Sequence, residues 1–291
     1  MSPFHILLAV LTSALWGFNF VVMKIGLNNF PPYLFTALRF SIVVFPLVFF
    51  VPRPKMSVRD IIVIGGLLGM GTFGLLIVGM NLGMPAGLAS LVLQAQVFFT
   101  ALFAVVMLRE RPTWVQYLGT AVSFGGIAII GGEMGTSGTL AGLVLVIVGA
   151  ACWGYCNVLI KRIAPGNMLS MIVWINMVPP IPMIILSYFF EGPDVIAGAA
   201  SGITWTGVAV LLYLAFASTV IGFYIWARLL RTYSASVVAP FSLLTPIFGL
   251  SSAAIVLGER FSLVDLIGAT LVVVGLALNV LPLGRPVYAK S

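Results

Sequence analysis

The sequence predicts an all-α integral membrane protein whose ten transmembrane helices form two inverted five-helix repeats. Three observations predict it. The 291 residues are 61% hydrophobic and 7% charged, with a mean hydropathy of +1.19, so the chain cannot cover itself with polar surface in water. A bilayer core about 30 Å thick takes about 20 apolar residues per helix, and a chain of this length holds roughly ten such spans with short connections and no room for a soluble domain. Third, two stretches recur. Ala14–Lys24 returns at Ala151–Lys161 with Trp16 on Trp153, Gly17 on Gly154 and Lys24 on Lys161. Ala86–Arg111 laid on Ala235–Arg260 pairs Phe99 with Phe248, Ala104 with Ala253 and Glu110 with Glu259, and the register continues to Gly119 on Gly268 and Gly126 on Gly275. Repeats of this kind define the architecture before any single helix does.

Taken in order, the apolar runs place spans at 4–26, 33–51, 60–82, 86–108, 113–131, 138–160, 169–190, 203–228, 235–257 and 263–282. Turn formers separate them: Pro31-Pro32, Pro52 and Pro54, Pro85, Pro112, Gly131-Gly132, Pro165-Gly166, Gly192-Pro193, Tyr233-Ser234 and Gly258. The first run has no Lys or Arg before Lys24, so it lacks the basic start of a signal peptide and reads as the first helix. The repeats divide the chain at 1–132 and 133–291.

The formal charge of +7 does not point to nucleic acid, because the basic residues lie in connections. With the N-terminus in the cytoplasm, eleven of the fourteen Lys and Arg fall on the cytoplasmic side, and both termini are placed there by the positive-inside rule. Five spans per repeat is an odd number, so the second copy enters the membrane upside down. Inverted repeats put a substrate site near the midplane between the halves and supply two mirror-related states, which favours a carrier over a channel or an enzyme. The expected partners are the bilayer of a bacterial inner membrane and a small-molecule solute, with the chain a monomer or a weak homodimer.

Polar side chains at membrane depth are costly unless they find partners or line a wet cavity. Gln94 and Gln96 lie in the fourth span about 200° apart, so at most one is expected to point straight into a cavity. Asn19 and Asn157 stand at matching depths in the first and sixth spans; each suits an uncharged or zwitterionic solute, or equally an interhelical bond. Trp16, Trp153, Tyr155, Tyr224 and Trp226 are aromatics away from loop tips, with Tyr224 and Trp226 on different faces so that one of them lines a cavity. Arg39 either snorkels outward or meets a substrate carboxylate, and snorkelling is the expectation. Lys24 and Lys161 end matching helices, as gates or as anchors. Glu110 and Glu259, each beside an Arg, read as loop pairs. Pro240 and Pro246 fall inside the ninth span, where they serve as hinges or as kinks without a gating role.

All seven acidic residues lie in or beside connections and His5 is terminal, so no buried proton relay is visible. Facilitated, uncoupled flux is therefore expected, with a proton-coupled drug exporter or a nucleoside or sugar exporter as alternatives. Cys152 and Cys156, one turn apart on one helix, do not close a tetrahedral metal site and read as packing residues; no metal or cofactor is expected. An enzyme would need a polar catalytic cluster, and a lipid scramblase would show no saturable flux.

The Ala-Leu-Trp-Gly opening, the Leu-Leu-Thr-Pro step at Leu243–Pro246, Gly-Glu-Arg at Gly258–Arg260 and its degenerate copy Arg109–Arg111 resemble the drug/metabolite transporter superfamily, specifically the EamA-type ten-helix exporters. The resemblance covers the chain as two units at about 5–131 and 138–282. It implies a bacterial inner-membrane exporter with a central cavity, most like the exporters of aromatic and other neutral amino acids. The first copy departs from the pattern, with Val97 in place of the proline at Pro246 and Arg109 in place of Gly258.

Overall fold

The computed structural model describes residues 1–109, 112–134, 138–163, 166–233 and 235–280. The expectations for Glu110, Arg111, Pro165, Ser234, Arg285 and Lys290 lie outside the described residues. Ten helices are long and apolar enough to cross a membrane: Pro3–Gly26, Pro32–Phe49, Val58–Asn81, Ala86–Leu108, Trp114–Gly132, Leu140–Ile163, Met168–Phe190, Trp205–Thr232, Ala239–Leu257 and Leu263–Val280. A short helix, Pro193–Ser201, connects the seventh and eighth.

The helix starts follow from local chemistry. Ser2, Ser57, Asn167 and Thr204 cap the first, third, seventh and eighth spans with their side-chain oxygens, each satisfying backbone N–H groups that the first turn leaves open. The second and fourth spans begin after Pro31 and Pro85, which have no side chain able to cap. Both are capped from elsewhere in the chain. Glu191 accepts from the Tyr33 and Leu34 N–H groups at 2.6 and 3.1 Å, and Glu259 from those of Ala86 and Gly87 at 2.7 and 3.0 Å. Glu259 is thus a remote helix cap, where the sequence suggested a loop pair with its neighbouring Arg.

The two halves meet through crossings that are copies of each other. A methyl group on Gly17 would stand 2.6 Å from the Phe248 Cβ and 2.6 Å from the Thr245 carbonyl oxygen; one on the equivalent Gly154 would stand 2.6 Å from the equivalent Phe99 Cβ and 2.7 Å from the Thr100 nitrogen. Span one therefore presses on span nine as span six presses on span four, with small residues admitting backbone against backbone. Spans five and ten pair across the same pseudo-twofold. Gly119 abuts the Gly275 carbonyl and Gly126 the Gly268 carbonyl, and Ser123 donates to the Val272 carbonyl at 3.1 Å.

Within the spans, regular α-helix breaks at equivalent places. Spans three and eight carry π-helical segments at Gly66–Gly74 and Tyr213–Ile221. Thr72 and Thr219 each donate to the carbonyl five residues back, at Leu67 and Leu214. Spans four and nine tighten to 3₁₀ geometry at Leu93–Ala95 and Ala239–Leu243. Only the second of these contains a proline, Pro240; Pro246 is buried in the α-helix that follows. Large apolar side chains such as Phe189, Trp205 and Ile255 face outward, as a lipid-facing surface requires.

Candidate functional site

A cavity of about 340 Å³ lies between the halves. Its deep end is formed where Asn19 and Phe20 of span one, Arg39 of span two and Gln94 of span four come together, all buried. Its mouth is marked by Met168 at the start of span seven and Leu230 near the end of span eight, each 39% exposed. The mouth lies on the side of the N-terminus, because the Tyr233 hydroxyl after span eight accepts from the Ser2 N–H at 3.2 Å and bonds His5 Nδ1 at 2.9 Å.

The opposite side is closed. Lys24 Nζ at the end of span one donates to the Met80 carbonyl at the end of span three, 2.9 Å away. The two remote carboxylate caps, Glu191 and Glu259, lie at that same side, and the Thr204 hydroxyl donates to the Asn29 side-chain oxygen. Gly79 and Gly142 meet there backbone to backbone. Lys24 thus ties the end of span one to the end of span three on the closed side. Lys161 lies at the other end of the membrane, beside a smaller cavity of about 250 Å³ with Thr100, Gln116, Asn157 and Asn279 in its wall.

Eight of the residues singled out from the sequence line the central cavity: Trp16, Asn19, Arg39, Gln94, Gln96, Trp153, Asn157 and Trp226. Both glutamines are in its wall, although at most one was expected to point straight into it. Span four runs between spans one and six, and the cavity touches both flanks, with Gln94 at its deep end and Gln96 accepting from Asn157 Nδ2 at 2.8 Å. Asn157 Nδ2 also reaches the Thr100 hydroxyl at 3.0 Å. Tyr155 and Tyr224 are corrected. Tyr155 packs against Phe103, ring centres 5.3 Å apart, and Tyr224 is 52% exposed on the outer face of span eight, because its two-residue offset from Trp226, about 200° around the helix, carries it away from the wall. Pro240 and Pro246 are not lining residues; their neighbours Ser242 and Thr245 are.

The sequence reading offered Arg39 of span two only as the lesser alternative to snorkelling, and nothing from span seven. Span two supplies Phe40 and Arg39, which is 2% exposed and does not snorkel; span seven supplies Met171, Ile172, Ile175 and Asn176. Ser218 and Thr219 were also missed, although Thr219 matches Thr72 at the same place in the other repeat. Trp16 closes one wall, its Nε1 donating to the Ser218 carbonyl at 3.0 Å and its ring 5.2 Å from those of Phe223 and Trp226. Phe73 stands 5.8 Å from Trp153 opposite. The wall is therefore aromatic with scattered amide and hydroxyl groups, and among the described lining residues Arg39 alone carries charge.

Comparison with known proteins decides the family. Residues 3–132 and 140–281 each match the EamA-like transporter family. The chain belongs to the EamA-like transporter family. A probable amino-acid metabolite efflux pump of Salmonella typhimurium (strain LT2) is 39% identical over 279 residues, 94% of this chain and 93% of the relative. Its counterpart in Escherichia coli (strain K12), with the same description, is 38% identical over the same coverage. A probable terminal-alkyne amino-acid exporter of Streptantibioticus cattleyicolor is 26% identical over 95% of this chain and 93% of that one. A solved crystal structure superposes with a TM-score of 0.66, at 20% identity, over 98% of this chain and all of the other, which shows a shared fold. This EamA-like protein is a multi-pass membrane transporter and not an enzyme, and its two matched stretches each carry five of the ten helices.

Proposed function

We propose that the protein exports small neutral metabolites, chiefly amino acids including aromatic ones, across the bacterial inner membrane by alternating access, without coupling to protons. The observation that carries this reading is the cavity between inverted halves, open beside the N-terminus and closed opposite by Lys24, Glu191 and Glu259. With the termini in the cytoplasm, this is an inward-open state ready to load. A cavity of about 340 Å³ sits at the lower end of the range of about 300–1,000 Å³ typical of small-ligand sites. Its aromatic walls suit an apolar side chain, and its amides and hydroxyls suit a polar head. The efflux-pump and amino-acid-exporter descriptions of the relatives support the same solute class.

The uncoupled mechanism is supported by the wall chemistry, since the described lining residues include no Asp, Glu or His to carry a proton. The test is counterflow in proteoliposomes with labelled phenylalanine, threonine and uridine at varied internal pH. Saturable phenylalanine counterflow that persists with pH clamped on both sides is expected. Flux that collapses without a pH gradient would overturn the uncoupled mechanism, and uridine flux without amino-acid flux would overturn the solute class.

A further inference from the structure

We propose that Arg39 is the carboxylate receptor of the cavity and that Asn19 beside it receives the amino group, so that the solute enters head first. The amino-group part rests on the amino-acid reading above. The carboxylate part does not.

Arg39 is a fixed cation, since a guanidinium stays protonated in proteins, and it is 2% exposed in the wall of a cavity that holds no opposite charge. Buried charges are ordinarily paired and fully hydrogen-bonded, because taking them from water is costly. This one is not. Arg39 Nη1 reaches only the Met23 sulfur at 3.3 Å, a weak acceptor, and Arg39 Nε has no hydrogen-bond partner. The guanidinium carbon lies 4.1 Å from the Phe73 ring centre and 5.3 Å from that of Phe40. Those rings hold the fork in place while offsetting only part of its lost hydration.

Asn19 is orphaned in the complementary sense. Its Oδ1 is buried without a donor, while its Nδ2 stands 3.9 Å from the same Met23 sulfur. An unsatisfied cationic donor and an unsatisfied acceptor thus flank one sulfur atom at the deep end. A carboxylate takes the guanidinium fork through charge-assisted bonds, and an N–H on the adjacent carbon is placed to donate to Asn19. The remainder of the molecule is left between Trp16, Trp153 and Trp226.

The test is competition against labelled phenylalanine, together with ligand-induced stabilisation of the purified full-length protein. The probes are phenylalanine, 3-phenylpropionate, which lacks the amine, phenylalaninamide, which lacks the carboxylate, and uridine. Wild type is expected to bind phenylalanine and 3-phenylpropionate at least tenfold more tightly than phenylalaninamide. Arg39→Met keeps the length and apolar contacts of the side chain and is expected to remove that preference, weakening both carboxylates tenfold or more while leaving the amide unchanged. Arg39→Lys is expected to restore part of it, and Asn19→Leu to weaken phenylalanine but not 3-phenylpropionate. Equal wild-type affinity for phenylalanine and its amide would overturn the proposal even if Arg39→Met fails to fold, as would a variant that loses every probe equally. Arg39-dependent binding of 3-phenylpropionate without phenylalanine transport would sustain the carboxylate receptor and remove the amino-acid reading. Uridine flux with no carboxylate binding would do the reverse, overturning this proposal and leaving a carrier of another solute.

Discussion

Arg109 and Gly258 occupy equivalent places at the ends of spans four and nine, and both hold left-handed backbone, with φ of 56° and 67°. Their N–H groups bond equivalent carbonyls as well, those of Ala104 and Ala253. The repeat therefore preserves a helix-ending conformation through a change of residue that its sequence pattern does not predict. Glycine enters this region freely, whereas a residue with a Cβ pays about 1–2 kcal/mol.

The two sites should respond with opposite signs. Arg109→Gly is expected to raise stability, by up to about 1 kcal/mol because glycine also loosens the unfolded chain. Gly258→Ala is expected to lower it by about 1–2 kcal/mol, since nothing else lies within 4 Å of an added Cβ there. Thermal unfolding in detergent measures both, and shifts of the same sign would show that some other contact governs these turns.

The crossings of span one on span nine and of span six on span four yield a second expectation. Gly17→Ala and Gly154→Ala each drive a methyl group to 2.6 Å from a phenylalanine Cβ, and overpacking of that kind costs about 1–3 kcal/mol. Gly125, also helical, has nothing within 4 Å of its would-be Cβ, so Gly125→Ala should be neutral or stabilising by up to about 1 kcal/mol. Melting temperatures of the three variants check this. A loss at Gly125 equal to that at Gly17 would mean that the close crossing does not set the cost.

Gly17, Gly154, Phe99 and Phe248 were visible as repeat partners in the sequence, and the structure brings them into the same two contacts. The spans were legible for the same reason, since hydropathy and turn formers act locally. What was not legible depends on partners distant in sequence. Glu191 and Glu259 looked like loop residues because a remote cap is defined by the helix start it reaches, and Pro31 and Pro85 only hinted that those starts lacked their own. Arg39 looked like a snorkelling residue because its depth from the helix end was the only guide; Met23, Phe40 and Phe73 hold it inward. Of Tyr224 and Trp226 only one was expected to line the cavity, and which one was not legible, since an aromatic at membrane depth faces lipid as readily as a cavity. Thr72 and Thr219 carry no motif, and their π-helical segments became evident only from the backbone.

Gln96 and Asn157 bridge spans four and six across the cavity wall at 2.8 Å. Gln96→Leu and Asn157→Leu are each expected to cost about 1 kcal/mol, and the double variant less than the sum, with a coupling near the membrane average of about 0.6 kcal/mol. A double-mutant cycle on unfolding free energy measures it. Strict additivity would show that the two amides act independently, each on solute or water.

Closure of the side opposite the N-terminus draws on Glu191 and Glu259, because each carboxylate accepts two charge-assisted bonds from a helix start belonging to the other half of the chain. Helix N-termini carry partial positive charge, which strengthens these contacts. In the alternating-access cycle proposed above, opening on that side requires these bonds to break, so they are expected to set the balance between the two states as well as stability. Glu191→Gln and Glu259→Gln keep the shape but turn an acceptor into a donor that faces backbone N–H groups. Each is expected to shift the balance towards the outward-open state by about 1.4 kcal/mol, the equivalent of tenfold, within the range of hydrogen bonds to charged groups. A Ser218→Cys variant on a Cys152→Ala, Cys156→Ala background places a thiol in the cavity wall, where Ser218 is buried. A membrane-impermeant thiol reagent added on the side opposite the termini should then react about tenfold faster when either glutamate is replaced. Unchanged labelling alongside a lower melting temperature would make the two carboxylates helix caps only, and the closed side would have to be held by Lys24 and the Gly79–Gly142 contact instead.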